Sequence, residues 1–212
     1  MGELMRISRL LVLLTLLSFE LHARGPMTNE DREHLVAHLQ MTQSWLADEV
    51  SSLSVEQLNY RMAPGKWTIL EVVEHLTIAE PGYWQSFQAA MKKPASKLPK
   101  EPADADILWY GIDRTERQKT VKSEEPKGQL TDVRDGLARF QHLHATMLEY
   151  ARTTDDDLRG HVLSEWNMDA YQGLLMISTH EQRHILQIRE IKADPGYPKG
   201  GDSARTAPRS SK

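Results

Sequence analysis

The sequence predicts an all-α protein built on four long helices, and two patterns indicate this class. Apolar residues recur at helical spacing in four long segments, whereas alternating apolar and polar residues and short hairpin signals are missing. The length of 212 residues suits one domain with extensions, and the absence of cysteine excludes disulfides and thiolate metal ligands.

The first two helices have clear start signals. We expect helix 1 at about 29–51, because Thr28 can cap it and acidic residues fill its first turn. Helix 2 begins after Thr68, which forms a capping box with Glu71 and lies inside a hydrophobic staple of Trp67 and Val72. The stripes that we expect to be buried are Leu35, Leu39, Thr42, Leu46 and Val50 in helix 1, and Leu70, Val73, Leu76 and Ala79/Glu80 in helix 2.

A long connection separates helix 2 from the last two helices. Residues 94–129 are rich in proline and lysine at both ends and hold one short helical segment at about 106–119, as in a crossover or a functional flap. Helix 3 is expected at about 132–152, with Phe140, His144 and Met147 near one face. Helix 4 is expected at about 167–191.

The two ends of the chain are expected to lie outside the fold. Residues 1–26 hold two arginines and a short apolar run, which is typical of a signal peptide, so we expect export; the alternative is a cytoplasmic protein whose translation starts at Met27. Residues 27–196 form the predicted domain, and residues 197–212 a disordered tail. The formal charge of −4 and the lack of a basic block in the body of the chain argue against a nucleic-acid partner.

The strongest chemical signal is the pair His180 and His184. Residues four apart on a helix differ by only ~40° in azimuth, so both imidazoles project from one face and can reach one ion. Ile177 and Ile191 share this face, which indicates that it points inward. The other histidines give no second site of this kind: His34 and His38 are read as surface residues, His142 and His144 as pointing to different sides of helix 3, and His161 as a loop residue.

The same segment, His-Glu-Gln-Arg-His, also fits the zinc-peptidase pattern H-E-x-x-H, in which Glu181 would be the general base. A peptidase of that kind needs a third ligand further on, and the extended pattern would place glycine and histidine where this chain has Gln187 and Glu190. A third ligand upstream is the better candidate. His75 lies two turns into helix 2, and facing helices of a bundle commonly build such sites together.

Two segments resemble the DinB-like superfamily. Residues 67–76, Trp-Thr-Ile-Leu-Glu-Val-Val-Glu-His-Leu, are similar to its W-[ST]-x-x-E-x-x-x-H-[LV] element, and residues 180–188 to its H-x-x-x-H-x-x-Q-[IL] element. The resemblance implies a four-helix bundle in up-up-down-down order with a long crossover between helices 2 and 3. It also implies a zinc or nickel ion on His75, His180 and His184, and a homodimer.

The resemblance leaves the reaction open. The family includes thiol-dependent S-transferases and proteins described as metal-dependent hydrolases. We therefore expect a transferase or hydrolase that acts on a small molecule, with a low-molecular-weight thiol as one candidate partner and metal-bound thiolate or water as nucleophile. The alternatives are a non-catalytic metal-binding module and, less favoured, the peptidase. Glu181 is read mainly as a structural or supporting residue, Gln187 as a partner of a neighbouring helix, and Trp109-Tyr110 as either pocket-lining or packing residues.

Overall fold

The computed structural model describes residues 27–98, 100 and 102–199, so the predictions for residues 1–26 and 200–212 lie outside the described residues. Within this part of the chain two short strands, β1 (Val162–Leu163) and β2 (Met168–Asp169), pair antiparallel. The same part contains six α-helices: α1 (Asn29–Val50), α2 (Val55–Leu58), α3 (Ile69–Met91), α4 (Asp104–Ile112), α5 (Val133–Thr153) and α6 (Ala170–Lys192). None of these helices is long and apolar enough to cross a bilayer.

Capping residues define the first residues of α3 and α6. The predicted capping box at the start of α3 is present, with the Thr68 hydroxyl accepting from the Glu71 backbone N–H and the Glu71 carboxylate accepting from the Thr68 N–H. Helix α6 starts three residues later than expected. The β1–β2 hairpin occupies the segment before it, and Asp169 caps the helix by accepting from the Gln172 N–H at 2.7 Å.

The four-helix bundle is confirmed, but the expected up-up-down-down order is wrong. Lys192 at the end of α6 donates to the Glu49 carboxylate at the end of α1, so these two helices run parallel. Arg32 at the start of α1 donates to the Ala151 carbonyl near the end of α5, so α1 and α5 are antiparallel. Helix α3 starts beside the last third of α6, where Trp67 stacks on His184. The resulting order is up-down-down-up.

The connections agree with this order. The partly helical linker 51–68 returns α3 antiparallel to α1, and 154–169, which holds the β1–β2 hairpin, returns α6 antiparallel to α5. The crossover 92–132 is the longest of the three connections and carries the chain back along the bundle, so α5 runs parallel to α3. Helix α1 packs against α5 and α6, and α3 packs against the same two helices, so α1 and α3 lie diagonally.

The buried core consists of two apolar clusters with polar residues between them. One cluster contains Leu39, Trp84, Met147 and Ile177, and the other contains Leu46, Leu76, Phe140 and Ile185. At the level between the clusters each long helix buries a polar residue: Thr42, Glu80, His144 and Glu181. Tyr197, the first residue of the segment predicted to be a disordered tail, packs edge-on against Tyr60.

Candidate metal centre

The three histidines predicted as ligands meet at one place in the bundle. The Nε2 atom of His180 lies 3.2 Å from that of His75 and 3.1 Å from that of His184. His75 is contributed by α3 and the other two by α6, and the three nitrogens form a set with metal-binding spacing. The arrangement is therefore a candidate metal site assembled from two distant segments.

The outer nitrogens of two of these rings are fixed by hydrogen bonds. His75 donates from Nδ1 to the Glu124 backbone carbonyl at 2.8 Å, and His184 donates from Nδ1 to the Gln187 side-chain oxygen at 2.9 Å. In a neutral imidazole a protonated Nδ1 leaves Nε2 as a bare lone pair. Both Nε2 lone pairs therefore face the central point, and one proton on His180 Nε2 could satisfy only one of them.

Burial keeps the three imidazoles in the neutral form. Burial lowers the pKa of His75, and burial with the nearby imidazoles lowers the pKa of His184 well below its ordinary value. Burial lowers the pKa of His180 to about 3, helped by His75 and Arg183. All three rings are thus neutral at pH 7, which is the state that binds a metal. The buried Nδ1 of His180 has no hydrogen-bond partner among the described residues.

Two aromatic side chains form the walls of the site. The Trp67 ring lies 4.9 Å from the His75 ring and stacks on His184, so this residue does more than the staple role that the sequence suggested. Tyr83 packs edge-on against His180 and donates from its hydroxyl to the Glu124 carboxylate at 3.0 Å. His184 is the partly exposed member of the three.

Hydrogen bonds to a carboxylate of α3 hold the crossover over the site. Glu74 is buried, and its carboxylate accepts from the backbone N–H groups of Gly128, Gln129 and Leu130 at 2.9, 2.7 and 3.3 Å. Since Glu124 lies only a few residues before these groups, the anchor also fixes the carbonyl that orients His75. Sequence reasoning missed both roles, because they depend on the path of the crossover.

A buried arginine of α6 holds the earlier part of the crossover. Arg183 donates to the backbone carbonyls of Tyr110, Asp113 and Glu116, and its guanidinium lies over the Tyr110 ring. Arg183 therefore serves the crossover, whereas the neighbouring Glu181 carboxylate contacts Thr42 and His144. Trp109 is 62% exposed, so it does not pack beneath the crossover.

The carboxylate of Glu181 serves another part of the core. It accepts from the Thr42 hydroxyl at 2.6 Å and from the His144 imidazole, and all three residues are fully buried. This position does not match the general base of the H-E-x-x-H reading. Gln187 was expected to contact a neighbouring helix, but it bonds His184 on its own helix.

The exposure predicted for the remaining histidines is only partly correct. His34 and His142 are exposed, as the sequence indicated for His34. His38 is half-buried and hydrogen-bonds Ser178, so reading it as a surface residue was wrong. His161 lies in a loop beside the Ala90 carbonyl. None of these four belongs to a three-residue metal-binding set within the described residues.

A protein-family model matches most of this chain. The model of the DinB superfamily matches residues 31–188, which includes all three histidines. The chain belongs to the DinB superfamily. Another similar protein is the uncharacterized protein YuaE of Bacillus subtilis (strain 168), which is 24% identical over 155 residues, 68% of this chain and 89% of YuaE.

A solved structure shares the fold of this DinB-superfamily chain. YfiT from Bacillus subtilis, described as "a probable metal-dependent hydrolase with an unusual four-helix bundle topology", matches with a TM-score of 0.55 and 21% sequence identity. The match covers 81% of this chain and 91% of YfiT. At this identity the likeness shows the fold alone.

Proposed function

We propose that this protein is a metal-dependent hydrolase of a small molecule, with its ion held by His75, His180 and His184. The observation that carries the proposal is the convergence of three Nε2 atoms, two of which present lone pairs because their Nδ1 atoms donate elsewhere. The description of YfiT as a probable metal-dependent hydrolase supports the reaction class.

The residues present fit a first-row divalent ion such as zinc or nickel. Neutral imidazole is a preferred ligand for both metals, and three protein ligands are the pattern of a catalytic rather than a structural zinc site. When bound, such an ion supplies Lewis-acid polarisation of a substrate and lowers the pKa of the water or thiol that it binds. The hydrogen bonds from His75 and His184 to Glu124 and Gln187 hold the rings in the required tautomer.

Glu124 is the candidate proton acceptor of the reaction. Its carboxylate lies beside Tyr83, whose ring packs on His180, and it is partly accessible to solvent. The Tyr83 hydroxyl donates to one carboxylate oxygen, and burial together with the Glu124 charge raises the pKa of Tyr83, so the phenol stays protonated and orients the carboxylate. A carboxylate positioned in this way can take a proton from a reacting group.

The proposal is tested by turnover of the metal-loaded full chain. The substrates are a panel of small carboxylic and phosphoric esters and amides, and a parallel panel pairs low-molecular-weight thiols with model electrophiles. We expect hydrolysis that depends on zinc or nickel and is lost in His184→Ala but retained in His142→Ala, which removes an exposed imidazole of α5.

The parallel panel separates the competing functions. Metal-dependent thiol transfer without hydrolysis would replace the hydrolase by an S-transferase. Metal binding that stabilises the protein without any turnover would support a non-catalytic module. Either result would overturn the proposed reaction while leaving the three-histidine site in place.

A further inference from the structure

A layer of polar side chains crosses the centre of the bundle. Each long helix contributes one residue at the level where the two apolar clusters meet: Thr42 from α1, Glu80 from α3, His144 from α5 and Glu181 from α6. Their exposed fractions are 0%, 1%, 0% and 0%. Polar groups so deep in a core need partners, because transfer from water is costly.

The partners within the layer are incomplete. Thr42 and His144 both donate to the Glu181 carboxylate. Neither carboxylate oxygen of Glu80 has a hydrogen-bond partner among the described residues, although the group is buried. Glu80, His144 and Glu181 nevertheless offer one ligand atom each within 4.8 Å of one another. The unpartnered carboxylate thus belongs to a compact set of donors.

The charges of the layer point to a cation. Two carboxylates lie together in the core, and no lysine or arginine of the described residues makes an ion pair with either. Burial, and then the charge of Glu181, raise the pKa of Glu80 well above its ordinary value. A divalent ion would neutralise both carboxylates, and its coordination would satisfy the oxygens of Glu80.

We propose that Glu80, His144 and Glu181 bind a second divalent cation, distinct from the one assigned to the three histidines. Two carboxylate oxygens and one imidazole nitrogen suit zinc or manganese. The His144 nitrogen that binds the ion must carry no proton, so the ion and the hydrogen bond to Glu181 cannot share one nitrogen. The two sites are separate because His180 and Glu181 are consecutive on α6 and project roughly 100° apart. Since all three ligands are buried, this ion stabilises the junction of three helices and takes no part in hydrolysis.

The alternative is a proton on Glu80 in place of the ion. A protonated Glu80 would donate to the adjacent Glu181 carboxylate, and the raised pKa of Glu80 agrees with such a carboxyl–carboxylate hydrogen bond. The proton would leave the layer without metal, whereas the ion would bring the three ligands together, so metal content distinguishes the two.

The test is the metal content of the full chain after stripping, separate loading with Zn(II) or Mn(II), and desalting. We expect two ions per wild-type chain with at least one of the metals. His184→Ala, which damages only the three-histidine site, should retain one ion, and Glu80→Gln/His184→Ala none. If His184→Ala retains no ion of either metal, the second site does not exist. His184→Ala leaves Glu80, His144 and Glu181 unchanged, so its ion content can be interpreted even if variants of these three residues do not fold.

A thermal measurement gives an independent readout. A ligand that binds only the folded state raises the melting temperature, Tm. Zn(II) or Mn(II) should therefore raise the Tm of His184→Ala and leave that of Glu80→Gln/His184→Ala unchanged. An equal response of both variants would overturn the assignment of Glu80 as a ligand.

Discussion

The Nδ1 atom of His75 donates to the backbone carbonyl of Glu124 at 2.8 Å, which joins a proposed metal ligand to the crossover that covers it. The carbonyl and the carboxylate of Glu124 thus act in different ways. The carbonyl orients the imidazole, whereas the carboxylate lies beside Tyr83, where a substrate proton could be accepted. A substitution of this side chain can separate the two roles.

Glu124→Gln is expected to keep the metal and lose activity. The backbone carbonyl remains, so the ion content should be unchanged, but the loss of the basic group should lower kcat by about 10²-fold. The measurement is turnover together with elemental analysis, and the control is Glu125→Gln at the exposed neighbouring position. Unchanged turnover would remove Glu124 from the reaction.

Gln187→Ala is expected to weaken metal binding. Without the side-chain oxygen the His184 ring loses the hydrogen bond that fixes its tautomer, and such losses cost roughly 10–100-fold in metal affinity. The measurement is a competition titration with a chromophoric chelator, with the exposed Gln141→Ala as the control. Equal affinities of the two variants would show that Gln187 does not orient the ligand.

Arg183→Met is expected to loosen the crossover. The substitution leaves three backbone carbonyls without their donor, at a cost of about 1–3 kcal/mol in the free energy of unfolding. Urea unfolding measures this cost, and limited trypsin digestion within residues 113–119 should become faster than in Arg139→Met, which alters an exposed residue of α5. Equal digestion of the two variants would mean that the hydrogen bonds of Arg183 do not hold the crossover in place.

The ends of α1 and α6 should give a pH-dependent contribution to stability. Burial opposes ionisation of Glu49, but hydrogen bonds from Lys192 and Arg189 outweigh it and lower the pKa below the ordinary value of 4.5. Because the folded state holds the proton less tightly than the unfolded state, this stability is present above pH 4.5 and is lost as the pH falls through the lowered value.

Urea unfolding of Glu49→Gln measures this contribution. The variant should be less stable than the wild type by about 1 kcal/mol at pH 7, and the difference should shrink in acid. The exposed Glu33→Gln serves as the control. A constant difference between pH 7 and pH 3 would contradict the assignment.

The sequence was informative where local spacing decides structure. The capping box of Thr68 and Glu71 located α3, and the four-residue spacing of His180 and His184 placed both rings on one face of α6. His75 could be added because facing helices build such sites. The direction of each helix could not be read in this way, since it depends on how far each connection travels.

Features that join distant segments were missed. Glu80 and His144 had been placed on apolar faces, and a polar residue within an apolar stripe is itself a signal of a buried contact. Their meeting with Glu181 requires the register of three helices, which spacing within one helix does not supply. The contact of Glu124 with His75 likewise depends on the path of the crossover.

The most direct test of the central claim is the number of zinc ions that the loaded full chain retains after passage over a chelating resin, compared between the wild type, His75→Ala and His142→Ala. We predict that His75→Ala retains one ion fewer than the wild type, whereas His142→Ala matches the wild type. Equal zinc content in all three proteins would contradict a metal site shared by α3 and α6.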